Sequence, residues 1–441
     1  MLRPKPSFWF GTSFEPETTD RGSARRIFDT LFRPWPEADG NEREGNMGRW
    51  PIYDEEQIED VVSVLRSGEV NAWTGPHVRN FEALYERFLG VKHAVALANG
   101  TVALDLALFA LELQPGDEVI VTPRSFIASA SSVPMAGGVA VFADVDRDSQ
   151  NITVDTIREQ LTAKTKGIIA VHLAGWPCDM PAIMEFAREN GLWVIEDCAQ
   201  AHGAEIDGRP VGSFADIAVF SFCQDKIITT GGEGGLVAMN DDELWKKAWS
   251  RKDHGKSFDA VYNRDHPPGF RWLHESIGTN WRMTSFQAVL GSRQLRRLEH
   301  WRSIRAQNAA ILAKAATEID ALRTPLPPRG VQHAWYRFYT FLKPELLMPG
   351  WSRDRIVAEI NSAGVACFSG SCPEIYLEKA FADLNMGPVK RLPNARELGE
   401  TSLAFLVDPA LDTAGVGRAA QVLREVMACA SSTVEARRRT S

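Results

Sequence analysis

The sequence is poor in the residue patterns that hold metals or disulfides. Only six cysteines occur in 441 residues, at 178, 198, 223, 367, 372 and 429, and none makes a C-x-x-C pair. No H-E-x-x-H appears among the nine histidines. A structural zinc and a disulfide frame are therefore not expected, and no metal is assigned; a reducing, cytoplasmic setting is the default. Long apolar runs are missing too. The richest, residues 102–113, is broken by Asp105 and Glu112, well short of the roughly 18 residues a membrane span needs. The opening stretch MLRPKPSFWFGTSFEPE is too interrupted for a secretory signal. Positive charge is not in excess: 49 Lys and Arg face 57 Asp and Glu, a net of −8, which argues against a general nucleic-acid surface. No internal repeat or low-complexity tract is present.

What remains is an ordinary globular composition, 44% hydrophobic and 24% charged. Residues 1–48 stand apart, punctuated by Pro4, Pro6, Pro16, Pro34 and Pro36, and read as an N-terminal extension. From residue 50 the pattern is regular. Asp54 with Gln57 three residues on, and Gly68 just past the end, predict a capped helix over 55–67. Short apolar runs then alternate with helical segments. HAVALA (93–98), EVIVT (118–122), VAVFADV (139–145), GIIAVHL (167–173), LWVIED (192–197), IAVFSF (217–222) and GLVAMN (235–240) read as strands. Helices are expected over 101–113, 155–163 and 179–190. Such runs suit a buried, largely parallel sheet covered by helices: a doubly wound α/β domain over 49–300. Its ligand site is expected at the carboxyl ends of the strands. Thr284 and Gln287 form a second capping box that opens a long helix. The remainder, 301–441, with strand-like YRFYTFL (336–342) and helices over 352–363 and 413–429, reads as a smaller α+β domain.

Several residues fall where a ligand would sit. Asn99-Gly100-Thr101 follows a strand and opens a helix, so free N–H groups and a hydroxyl face any anion there; the plain alternative is a capped turn. Asp197 ends a strand and could hold a protonated ring nitrogen, or merely cap the next segment. Gln200 and His202 follow on the same loop, and either could simply satisfy backbone groups. Lys226 stands between a buried strand and the Gly-rich 231–235 turn, where partial burial is expected to lower its pKa and make it a nucleophile; the usual fate of a loop lysine is the surface. GGEGG matches neither the P-loop nor the dinucleotide pattern. Phe126 and Trp73 could each stack on a flat ring or lie in the core. The arginine-rich stretch 293–305 reads as the solvated side of an amphipathic helix.

The order of these motifs is more specific than any one of them. Asn99-Gly100-Thr101, SFIAS (125–129), EDCAQAHGA (196–204), SFCQDK (221–226), GGEGG and GTNWRM (278–283) strongly resemble the sugar aminotransferases of the DegT/StrS type, pyridoxal-phosphate enzymes of fold type I. The resemblance covers roughly 50–430. It implies that Lys226 holds the cofactor covalently, that Asp197 partners its pyridine nitrogen, and that Gln200 lies near the ring hydroxyl. It further implies stacking by Phe126 and phosphate contacts from Gly100, Thr101 and Ser221. Asn280 would reach the phosphate in the other subunit of a homodimer with shared active sites. Implied too are pyridoxamine phosphate as the aminated form, glutamate as amino donor, a keto-sugar nucleotide as acceptor, and a place in polysaccharide biosynthesis such as that of lipopolysaccharide O-antigen. KIITTGGEGG is closest to enzymes acting on 4-keto-6-deoxy sugars. A sugar dehydrase and a non-catalytic sensor share the fold; Lys226 argues against the first, because some dehydrases carry histidine there, and Lys226 with Asp197 argues against the second. Three features depart from the family: the 1–48 extension, Cys223-Gln224-Asp225 in place of a His-containing triplet, and GSCPEIYLEKAF (370–381) in place of a Pro-Leu-His loop.

Overall fold

Seven apolar segments become the strands of one sheet. In chain order they are β1 (His93–Leu97), β2 (Glu118–Val121), β3 (Val139–Phe142), β4 (Thr165–Val171) and β5 (Trp193–Asp197). A small hairpin, β6 (Glu205–Ile206) and β7 (Arg209–Pro210), intervenes before β8 (Ile217–Ser221) and β9 (Gly235–Met239). The order across the large sheet is β1-β9-β8-β5-β4-β2-β3. Strand β9 runs antiparallel to both neighbours and the other pairings are parallel. Every residue of β8 and β9 is buried, which is why these segments are apolar without alternation. These observations come from a computed structural model that describes residues 50–431. The 1–48 extension lies outside the described residues.

A second, antiparallel sheet follows. Its strands are β10 (Leu322–Arg323), β12 (Phe338–Leu342), β13 (Cys367–Phe368) and β14 (Ser402–Phe405), in the order β10-β12-β14-β13; β11 (Val331–Gln332) instead joins β6 and β7. The helix Ser285–Thr317 connects the two sheets and runs through the 300/301 boundary expected from sequence. Thr284 and Gln287 form its capping box, as Asp54 and Gln57 do for Glu55–Ser67, which Gly68 closes in the left-handed conformation.

Several elements are shorter than expected: the strand expected over 139–145 ends at Phe142 and the helix expected over 101–113 ends at Ala110, and two further cases have a visible cause. The helix predicted over 155–163 ends at Arg158. Thr162 N–H donates to Thr165 Oγ1 at 2.9 Å, and this side-chain bond competes with helix continuation. The strand expected from 336 begins at Phe338. Trp335 has φ +52°, and Tyr336 N–H donates to Ala174 O at 2.9 Å instead of entering the ladder. All six cysteines are free. No helix among the described residues is long and apolar enough to cross a membrane.

Candidate active site

The carboxyl ends of β4, β5 and β8 meet in a cavity of about 580 Å³, bordered by Val171, Asp197, Val219 and Ser221. This is where a parallel sheet leaves backbone and side chains free for a ligand. The helix Gly100–Ala110 points its N-terminus into the same space. Asn99 caps it by accepting from Val102 N–H at 3.0 Å, while the amides of Gly100 and Thr101 precede the first intrahelical bond. A Cβ at Gly100 would lie 2.7 Å from Ser221 Cβ, and one at Gly235 would lie 2.2 Å from Asn99 O. Glycine at these two positions is therefore what lets the helix terminus, β8 and β9 converge.

Asp197 is buried at the carboxyl end of β5. Its Oδ2 accepts from Ser129 Oγ at 2.7 Å and its Oδ1 from Ala199 N–H at 3.1 Å. Two donors fix the carboxylate in orientation. Gln200 accepts from Ala174 N–H at 2.8 Å, which leaves its NH₂ as the donor available to a ligand. Ala174 in turn accepts from Tyr336 N–H, so one turn sets both Gln200 and Tyr336. His202 donates to Ser221 O at 2.9 Å and faces Tyr85 OH at 3.2 Å, a role that fastens the end of β8. Phe126 is 65% exposed and borders the cavity, so it is not a core residue.

Lys226 borders this cavity and a second one of about 520 Å³, and its amine is largely buried. Its carbonyl accepts from Trp50 Nε1–H at 2.8 Å. The lowered pKa expected for Lys226 is not what the surroundings produce. Burial does act against the ammonium, but Tyr336 and Asp225 outweigh it and hold the pKa above the ordinary lysine value. Asp225 Oδ1 lies 3.6 Å from Lys226 Nζ.

The second cavity shares Ser125, Phe126, Gln200, Asp225 and Lys226 with the first. Its remaining wall is drawn from the small sheet and its loops, including Tyr336, Arg337, Tyr339, Phe368 and Cys372. Tyr336, Arg337, Tyr339 and Phe368 were given no role from sequence, nor was Trp50; Ser129 ends the SFIAS motif but was given no role of its own. The 370–381 departure from the family pattern does map here: Gly370, Ser371, Cys372 and Glu378 border the cavity, and Cys372 bridges to Ser125.

Other candidates lie elsewhere. Asn280 is exposed and does not border either cavity. Trp73 stacks on Tyr262 and meets Trp249 edge-on. Arg293 and Arg297 pair with Asp60 and Asp54, as a solvated helix face would, but Arg305 is fully buried beside Trp50. His172, Glu196 and Cys198 are close enough to suggest a metal. The histidine is already committed: Nδ1 accepts from Cys178 N–H at 3.0 Å and Nε2 donates to Glu196 at 3.2 Å. Glu196 also accepts from Gly212, Phe214 and Ala215 amides, so the trio is a structural network.

A model of the DegT/DnrJ/EryC1/StrS aminotransferase family matches residues 51–424. The chain belongs to that family. A solved aminotransferase from Psychrobacter cryohalolentis is similar at 52% identity and a TM-score of 0.85, over 86% of this chain and 98% of that one. The UDP-N-acetyl-3-dehydro-alpha-D-glucosamine 3-aminotransferase of Acidithiobacillus ferrooxidans is 36% identical over 80% of this chain and 89% of its own length. The dTDP-4-dehydro-2,3,6-trideoxy-D-glucose 4-aminotransferase of Saccharopolyspora spinosa is 31% identical, over 83% and 92% respectively. The family is one of sugar-nucleotide aminotransferases, and its fold type I architecture is the one described above.

Proposed function

We propose that the protein moves an amino group from L-glutamate to a keto-sugar nucleotide, using pyridoxal phosphate and its pyridoxamine form. One observation carries this reading: Lys226, Asp197 and the helix terminus at Gly100 border a single cavity. The donor set fits the cofactor. The amides of Gly100 and Thr101 and the hydroxyls of Thr101 and Ser221 suit its phosphate. Phe126 offers an uncovered ring face. Asp197 is a fixed, buried anion for the ring nitrogen, and Gln200 offers a donor for the ring hydroxyl. When bound, the cofactor supplies an electron sink for bond changes at the amine-bearing carbon.

The chain supplies the rest. Asp197 keeps the ring nitrogen protonated by a charge-assisted hydrogen bond. Once the donor has displaced it, the Lys226 amine takes the proton from the donor α-carbon and delivers it again within the cavity. The second cavity, opening from the same lysine, receives the donor and then the sugar nucleotide. The relative from Saccharopolyspora spinosa acts on a 4-keto sugar, as the KIITTGGEGG likeness suggests here; the relative from Acidithiobacillus ferrooxidans acts at position 3. We take the 4-keto-6-deoxy class as the acceptor. Asn280 serves the neighbouring subunit of a homodimer; it is exposed, and the segment just before it carries the exposed apolar side chains Trp272 and Ile277.

Borohydride reduction of the holoenzyme should abolish its visible absorbance and leave the cofactor fixed to the Lys226 peptide. Lys226→Ala should lose covalent cofactor and turnover. A variant that still aminates at the wild-type rate would refute the assignment. Incubation of keto-sugar nucleotides with ¹⁵N-glutamate identifies the acceptor and the position aminated.

A further inference from the structure

This inference rests on the assignment of Lys226 as the reacting amine. The triplet before that lysine, Cys223-Gln224-Asp225, is where the chain departs from the family pattern. Asp225 borders both cavities. Its Oδ1 lies 3.6 Å from Lys226 Nζ. Its Oδ2 accepts from Tyr336 OH and stands 3.9 Å from Arg337 Nη2. The Arg337 guanidinium and the Lys226 ammonium also lie over the Tyr336 ring, at 4.4 and 5.0 Å from its centroid. Four side chains from two remote parts of the chain thus form one cluster at the junction of the cavities.

No other carboxylate is within ion-pair distance of Lys226 among the described residues. Asp197 is taken up by Ser129 and Ala199. The remaining ionisable groups felt by the amine or by Asp225 are Cys223 on the same loop, Tyr336 and Arg337 ahead of β12, and His202 beyond β5. His202 is buried, with its pKa pushed down to about 4, and is neutral at physiological pH. Burial works against the charge on Asp225, but Lys226, Tyr336 and Arg337 outweigh it and hold the carboxyl below its ordinary range. Tyr336 and Arg337 keep holding this carboxylate when the amine gives up its charge.

We propose that Asp225 is a positioning residue for the Lys226 amine: it supplies the counter-charge of the free ammonium, and Tyr336 and Arg337 hold that carboxylate where the two cavities meet. When the amine takes the donor α-proton, an N–H bond forms, the C–H electron pair stays with carbon, and Asp225 neither gains nor loses a proton. Its charge stabilises the ammonium until the proton is delivered.

The test measures Lys226 itself, in the full-length chain freed of cofactor. The pH dependence of its acylation by acetic anhydride is read by mass spectrometry of the peptide that contains it. Wild-type Lys226 should label with a midpoint above that of exposed lysines. Asp225→Asn should lower the midpoint by about one unit, so that labelling at a fixed lower pH is about tenfold faster. Asp225→Glu should recover much of the wild-type value. Tyr336→Phe should shift the midpoint in the same direction by less. An unchanged midpoint in Asp225→Asn overturns the proposal; if that variant does not fold, an unchanged midpoint in Tyr336→Phe does so. Failure of the lysine assignment reads differently: borohydride then leaves Lys226 of the holoenzyme unmodified, whatever the labelling shows.

Discussion

Trp50 donates its indole N–H to the backbone carbonyl of Lys226 at 2.8 Å across 176 residues of sequence. The indole is itself held, edge-on to Trp301 at 5.0 Å between centroids and beneath the Arg305 guanidinium at 5.1 Å. Trp50 therefore braces the loop that carries Lys226 from the long helix. Trp50→Phe keeps a ring but removes the donor. A hydrogen bond of this kind is worth about 1 kcal/mol. Turnover should fall about fivefold with cofactor still bound, as read by steady-state rates beside the visible spectrum. A wild-type rate would show that the brace does not matter for catalysis.

Asp197→Asn preserves size and removes the charge. If that charge supplies about 3 kcal/mol to the transition state, the half-reaction with glutamate slows on the order of a hundredfold. Ser129→Ala should cost much less, about fivefold, because Ala199 N–H still holds the other carboxylate oxygen. Stopped-flow spectra of the half-reaction measure both. Equal effects of the two variants would contradict a charge-based role.

His202 gives the fold an acid-sensitive point. Burial, set against its bond to Ser221 O, pushes its pKa down to about 4, against 6.5 when exposed. Between these values the unfolded chain binds more protons than the folded one, so stability falls as pH drops through this window. The contribution is about 2 kcal/mol between pH 7 and 5. Urea midpoints of wild type and His202→Gln at the two pH values should show a smaller pH dependence in the variant. Parallel curves would sink the argument.

Subunit mixing tests Asn280. Lys226→Ala subunits are combined with a folded but strongly impaired Asn280 variant and allowed to exchange. If sites are shared across a two-fold axis, some heterodimers hold one site with both native residues, and activity returns. No recovery, with heterodimers shown to form, would confine Asn280 to its own chain.

The first cavity was legible because Asp197, Ser221 and Lys226 end or follow apolar strands, and strand ends are where a parallel sheet exposes functional groups. Gly100 was legible for the same reason, at a strand-to-helix turn. The second cavity was not. Tyr336, Arg337 and Cys372 carry no local pattern of their own; they reach the cavity through the Trp335 kink and through the bridge between Cys372 and Ser125, both products of tertiary structure. The pKa of Lys226 departs from the sequence expectation for the same reason: burial follows from the strand before it, but only the folded chain brings Tyr336 beside it. The 155–163 helix was overextended because threonine side chains compete with the helical backbone only at the positions where geometry lets them.

The two cavities share an edge but draw their other residues from different sheets. The cradle around Gly100, Asp197, Ser221 and Lys226 belongs to the large sheet, whereas Tyr339, Phe368 and Ala404 come from β12, β13 and β14. On the proposed function, preference and power are then written on separate panels of one chamber. A side-chain exchange on the small sheet can reshape what is admitted while leaving the reacting groups in register, so new acceptors can be explored one substitution at a time from a catalyst that still works.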